Sequence, residues 1–493
     1  MPMFAIHLSV AKRSIQYFKN SNPEVYDLIN NHLEYYLLGS IGPDIFYTPE
    51  AFTNENVQRI MTLRGTILEL MPNTNGLSDN EIINLAQDII RRSTSIINSL
   101  YNGMLTLLAG DILPSYLFLI QDVPLEDAHN FDERYFGWGD MFHYRLNAKF
   151  ARKLEQVGKD NNIPELQAFA YGFLSHLATD TVGHSFVNHV VGGPYRTRPI
   201  YHHVAESHMD AWYWRDFYGI GENVCTAQLH EWIMIHQGPD PLGEHALSSE
   251  FVEGYKEALE ETYKPLLDEA FERNGVSVDH KLNEGKHFEN AYAATYFWLR
   301  YSTELAHVDP PIPPDTLSQI MDDLGNTFLD RANDVLNRHR SWFRPPHISL
   351  STSIPSLSDL KDALEELLHD ILNDLEDLIS ALGEILITLG SAFLQGILYI
   401  LYLIQLFAYN FWRISRLSAV TVGLLYPEPD EILPEWYTIF HIPINTTKIA
   451  TYKNFMNLCD LLKARKSAED LIQKSEKIPD FKSERGEKYY ARK

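Results

Sequence analysis

Apolar residues recur at three- and four-residue intervals along most of this chain, and alternating, strand-like runs are few. That spacing is the period of an amphipathic helix, so an all-α fold is expected. An N-terminal helix is read from Leu8, Val10, Ile15 and Phe18, directly after His7. Residues 79–108 read as one or two helices opened by a cap at Ser78 or Asp79. Phe169 to His189 and Tyr201 to Phe217 read as further long helices, and no internal repeat stands out.

At 493 residues the chain is long for one domain. Proline-dense breaks at 307–314 and 345–355 interrupt helices and stiffen linkers, so they serve as boundaries. The expected organisation is a metal-bearing domain over 1–340 with a helical insertion at about 48–130, and a Pro-rich linker over 341–355. A helical module over 356–425 and a C-terminal segment over 426–493 with a polar, partly disordered tail follow. Within the module, Leu357, Leu360, Leu364, Leu367, Ile371, Leu375, Leu378 and Leu382 make an almost heptad seam opposite an acidic face. That helix is expected to pack on its own domain or on a copy of itself, since its acidic face opposes adsorption to anionic lipid.

The uncharged run Ile385 to Trp412 follows, long enough to span a bilayer, with Arg413 and Arg416 just after it. Gln395, Gln405 and Asn410 weaken that reading. A membrane-inserted or membrane-docked helix and a buried helix of a large domain or homo-oligomer both stand as expectations. The net charge of −25 counts against a nucleic-acid partner but not against a phosphate substrate held by cations. Two cysteines, Cys225 and Cys459, make neither a disulfide framework nor a cysteine-rich zinc module.

The chemistry concentrates between His7 and Glu206. In FAYGFLSHLATDTVGHSFVNH, His176, Asp180 and His184 stand four apart and project from one helical face. Two imidazoles and a carboxylate on one stripe can reach adjacent metal ions, and zinc accepts such ligands. In YHHVAESHMDAW, His202 and Glu206 form a second one-face pair, with His203, His208 and Asp210 as nearby alternatives. His143 follows Asp140 in WGDMFHYRLN, and Asp44 follows the Gly42-Pro43 turn in YLLGSIGPDIFY.

The order His, Gly-x-x-x-Pro-Asp, Asp-x-x-His, His-x-x-x-Asp-x-x-x-His, His-x-x-x-Glu resembles the zinc-dependent phospholipase C family. That family includes bacterial phospholipase C and the catalytic domain of glycosylphosphatidylinositol-specific phospholipase D, and it is related to the P1-type nucleases. The likeness covers roughly residues 4–47 and 131–217. It implies a multi-helix domain holding two to three zinc ions. Asp44, His143, His176 and Asp180 are then ligands of one ion, and His184, His202 and Glu206 of a second. His7 and Asp180 share a third, with Asp180 bridging. His202 is preferred to His203 because it stands four before Glu206.

Two departures matter. In the bacterial enzymes the processed amino terminus, beside a tryptophan, is itself a ligand. Here Met1 stands six residues before His7 and no tryptophan precedes it, so the third ion is expected to be weaker or completed by another group. The stretch from Asp44 to His143 is much longer than in the compact bacterial enzymes and reads as a cover over the site.

The implied activity is phosphodiester hydrolysis, a C-type cleavage of phospholipid to diacylglycerol and a phosphorylated headgroup. Asp44 is a candidate general base as well as a ligand. Phe46, Tyr47, Trp138 and Tyr144 are candidate substrate-pocket residues. Phospholipase D-type or nuclease activity is one alternative, and a non-enzymatic membrane-binding or pore-like assembly with a structural metal is the other. The start MPMFAIHLSVAKRSI lacks a secretory pattern, so a cytoplasmic or membrane-associated location is expected. Such an enzyme endangers its own membrane, so restraint by an insertion, by a regulatory partner or by delivery into another cell is expected.

Overall fold

The computed structural model describes residues 3–104, 136–192, 194–219, 221–235, 247–271, 277–314, 394–420 and 422–429, with scattered positions at 106, 107, 112, 116, 133 and 431 and between 372 and 382. Among them every regular element is a helix and no strand occurs, as the helical period requires. The helices are α1 (Phe4–Ser21), α2 (Pro23–Asn31), α3 (Leu33–Ile41), α4 (Asn54–Glu69), α5 (Asp79–Met104), α6 (Trp138–Tyr144) and α7 (Asn147–Asp160). Then come α8 (Pro164–Val191), α9 (Pro199–Tyr213), α10 (Ser249–Phe271), α11 (Val278–Lys286), α12 (Phe288–Arg300) and α13 (Leu394–Val420).

Two compact units interleave along the sequence. The first joins residues 1–54, 115–304 and 422–493, and the second joins 55–114 and 305–421. The proline breaks suggested consecutive blocks, whereas packing groups segments distant in sequence. The expected linker at 341–355, the acidic helix up to 371 and the tail beyond 431 lie outside the described residues.

In the first unit α8 is the central element and packs along α3. The two backbones nearly touch. A Cβ on Gly172 would stand 2.0 Å from the Tyr36 carbonyl oxygen, and one on Gly39 would stand 2.1 Å from that of Phe169. Beside this contact α6, α7, α10 and α12 contribute an aromatic core of Phe142, Phe150, Phe173, Tyr255, Tyr263 and Phe288. Helix α1 begins at Phe4, so His7 lies in its first turn rather than ahead of it.

In the second unit α5 packs against α13. The start of α5 is a capping box: the Ser78 hydroxyl accepts from Glu81 N and the Glu81 carboxylate accepts from Ser78 N. Helix α13 contains Ile397–Leu417, the one stretch among the described residues long and apolar enough to cross a membrane, and more than half of it is buried. Two of its polar side chains find partners inside the unit. Gln405 Nε2 donates to the Pro72 carbonyl at 2.7 Å and Trp412 Nε1 to that of Ala306 at 2.8 Å.

Candidate metal centre

Helix α8 carries His176, Asp180 and His184 four residues apart, and the first two are fully buried. The α3 contact brings the following turn across them, so Asp44, at the start of the 3-10 turn Asp44–Tyr47, points at the same place. Helix α6 adds His143 and the first turn of α1 adds His7.

Second-layer carbonyls fix two ring orientations. His143 Nδ1 lies 2.6 Å from the Gly139 carbonyl oxygen, and His176 Nδ1 lies 3.0 Å from that of Ser40. A carbonyl accepts only from N–H, so both rings hold a proton on Nδ1 and turn Nε2 inward. The two Nε2 atoms are 3.1 Å apart. Asp44 Oδ1 and Asp180 Oδ2 lie 3.2 and 3.3 Å from His143 Nε2. Four acceptors thus converge with no donor among them, which is unstable unless a cation sits between. Ligands of a tetrahedral zinc at about 2.0–2.1 Å stand ~3.3 Å apart, so the donor set fits the metal.

His7 stacks on His176, ring centroids 4.1 Å apart, with Nε2 3.6 Å from Asp180 Oδ1 and 3.7 Å from Asp44 Oδ2. Among the described residues neither ring nitrogen of His7 and neither oxygen of Asp180 has a hydrogen-bond partner, an arrangement costly in a buried site but natural for metal ligands. Donor atoms within 4.8 Å of one another form two triads, His7–His176–Asp180 and Asp44–His143–His176. His184, His202 and Glu206 do not close into such a triad among the described residues. They adjoin the cluster in sequence of contact: His184 Nε2 is 3.4 Å from Asp180 Oδ2, the His184 and His202 rings are 6.0 Å apart, and His202 Nδ1 is 3.3 Å from Glu206 Oε1.

The electrostatics are those of a ligand site. Burial lowers His7 and His184 to about 3, so both are neutral and able to coordinate at pH 7. Burial raises Asp44 well above the usual carboxylate range. It pushes Asp180 up too, but His184, His176 and His143 around that carboxylate outweigh it and hold it below that range.

Several groups near the cluster do work that residue spacing does not reveal. Buried Asp210 accepts from Ala5 N at 2.8 Å and Ile6 N at 3.2 Å, so it anchors the turn that carries His7. Asp140 takes no part in the cluster; it pairs with Arg196 and accepts from the Tyr47 hydroxyl at 2.9 Å. His203 Nε2 lies 3.2 Å from the Tyr195 hydroxyl, and His208 Nδ1 lies 2.9 Å from the Val204 carbonyl. Helical i to i+4 spacing detects donors on one face, whereas Asp210 serves backbone groups two hundred positions away.

A small cavity of about 40 Å3 opens beside the cluster, and Asp44 and Glu206 contribute to its wall. Of the four aromatic candidates, Tyr47 alone lines it among the described residues. Trp138 donates to the Lys281 carbonyl and packs on Phe142 and Tyr263, while Phe46 packs on Phe142 and Tyr144 on Phe136. Trp138 and Phe46 therefore contribute to the aromatic core.

No curated protein and no solved structure matches the chain. The family model described as zinc dependent phospholipase C matches residues 6–264, a span that covers more than half of the chain and contains all the donors named above. Motif order, helical fold and family match agree, and the chain belongs to the zinc-dependent phospholipase C family of hydrolases.

Proposed function

We propose that this chain hydrolyses phospholipids at the glycerol–phosphate bond, releasing diacylglycerol and a phosphorylated headgroup. The observation that carries the reading is the convergence of His143, His176, Asp44 and Asp180 on one point beside a cavity. Those four residues, with His7 sharing Asp180, hold the zinc, and His184, His202 and Glu206 extend the donor set toward a second ion. Zinc held there supplies Lewis-acid polarisation of the phosphate and a more acidic water. Asp44 borders both the donors and the cavity, so it takes the proton of the attacking water. Burial of His7, Asp44, His143, His176 and Asp180 limits bulk water at the cluster and strengthens their interactions with the developing charge.

The test is product identification on mixed phospholipid vesicles with the zinc-loaded full chain. Diacylglycerol with a phosphorylated headgroup supports the reading. Phosphatidic acid with a free headgroup assigns D-type cleavage instead, and nucleotide release from single-stranded nucleic acid without lipid turnover sinks the lipid reading.

A further inference from the structure

The family match ends at residue 264, yet the wall of the cavity does not. Gly423 and Leu424 line it together with Asp44 and Glu206, and both belong to the same compact unit as the metal cluster. Their segment is held by its own carbonyls. Tyr116 donates to the Val422 carbonyl at 3.0 Å, and Trp298 Nε1 to that of Leu424 at 2.9 Å. Tyr426 reaches the anchor of α1: its hydroxyl is 3.4 Å from Asp210 Oδ2 and accepts from Ala5 N at 3.2 Å. Gly423 has φ +78°, and a Cβ there would stand 2.4 Å from the His203 carbonyl carbon, so the segment lies directly on the backbone of α9.

We propose that Gly423 and Leu424 form the specificity-determining wall of the substrate cavity, with Leu424 setting the size of the phosphorylated headgroup it admits. This rests on the phospholipid reading above. The cavity of about 40 Å3 has room for only a few water-sized groups, so a side chain on its wall bears directly on what fits beside the phosphate. Leu424 is almost fully buried against that space, and its backbone is fixed by Trp298. A change in its side chain therefore alters the volume of the cavity more than the position of the wall.

The experiment measures binding, independent of turnover, by calorimetry on the zinc-loaded full chain. The probes are phosphorylcholine, inositol phosphate and inorganic phosphate, and the variants are Leu424→Trp and Leu424→Ala, each checked for zinc content and thermal melting. Leu424→Trp is expected to weaken both organic phosphates by roughly tenfold or more while inorganic phosphate binds as before. Leu424→Ala is expected to favour inositol phosphate over phosphorylcholine relative to the parent. The proposal is overturned if folded, zinc-bearing variants bind all probes like the parent, if all three probes weaken together, or if the parent binds neither organic phosphate. A parent that binds headgroups but cleaves no lipid overturns the proposed reaction and leaves the wall standing.

Discussion

Two imidazoles that both donate from Nδ1 repel when their Nε2 atoms face each other at 3.1 Å, and adding two carboxylates makes the repulsion worse. A cation reverses the sign of every one of those interactions, which is why Asp180 carries so much of the account. Replacing Asp180 by Asn removes a charge and one of the two carboxylate oxygens that would hold the metal, while keeping the shape. Hydrolysis is expected to fall by roughly 100-fold or more with loss of zinc, read by metal analysis and product assay on a variant whose circular dichroism is unchanged. Asp210→Ala acts at one remove. It removes the acceptor of Ile6 N–H and one of the two acceptors of Ala5 N–H, and is expected to cost about 1–3 kcal/mol in denaturant unfolding, with a further loss of activity through His7. At this scale the His176, Asp180, His184 stripe was legible in the sequence because four-residue spacing fixes one face. The role of Asp210 was not, since its partners are backbone groups with no side-chain signature.

Helices α3 and α8 meet through glycine because the carbonyls of Tyr36 and Phe169 occupy the space a Cβ would need. The same contact puts the Ser40 carbonyl on His176 and aims Asp44, so it couples packing to chemistry. Gly172→Ala is expected to destabilise the fold by about 1–3 kcal/mol through overpacking and to weaken zinc binding in the same variant. Denaturant unfolding and metal titration check the two effects, and a stable variant with unchanged zinc affinity contradicts the coupling. Helix periods and the Ser78–Glu81 capping box could be read from local spacing. The α3 to α8 crossing could not, because it depends on small residues more than one hundred and thirty positions apart. Helix α13 shows the same limit: its apolar run passes for a membrane span by composition, while Gln405 and Trp412 find partners within the second unit.

At the scale of the whole molecule each unit is assembled from segments distant in sequence, as where 79–104 packs on 394–420 within the second unit. The buried histidines give the protein a definite pH response. His7 and His184 are lowered by burial to about 3, and His203 and His208 to about 4, from 6.5. Below 6.5 the unfolded chain takes up these protons and the folded one does not, so stability falls as pH drops toward 4. Asp44 and Asp210, raised by burial, act in the opposite direction but are fewer. Melting of the chelator-treated protein is expected to shift downward between pH 7 and pH 5, roughly the window of the histidine shifts, and bound zinc is expected to steepen that response because its ligands must be deprotonated. An unchanged melting temperature contradicts the buried, neutral histidines. If zinc in this cluster drives phospholipid cleavage, metal content and lipid products measured on the same preparation, before and after chelation, change together. The account predicts two to three zinc ions per chain and diacylglycerol release that disappears with the metal and returns on zinc addition. Full lipid hydrolysis by zinc-free protein would contradict it.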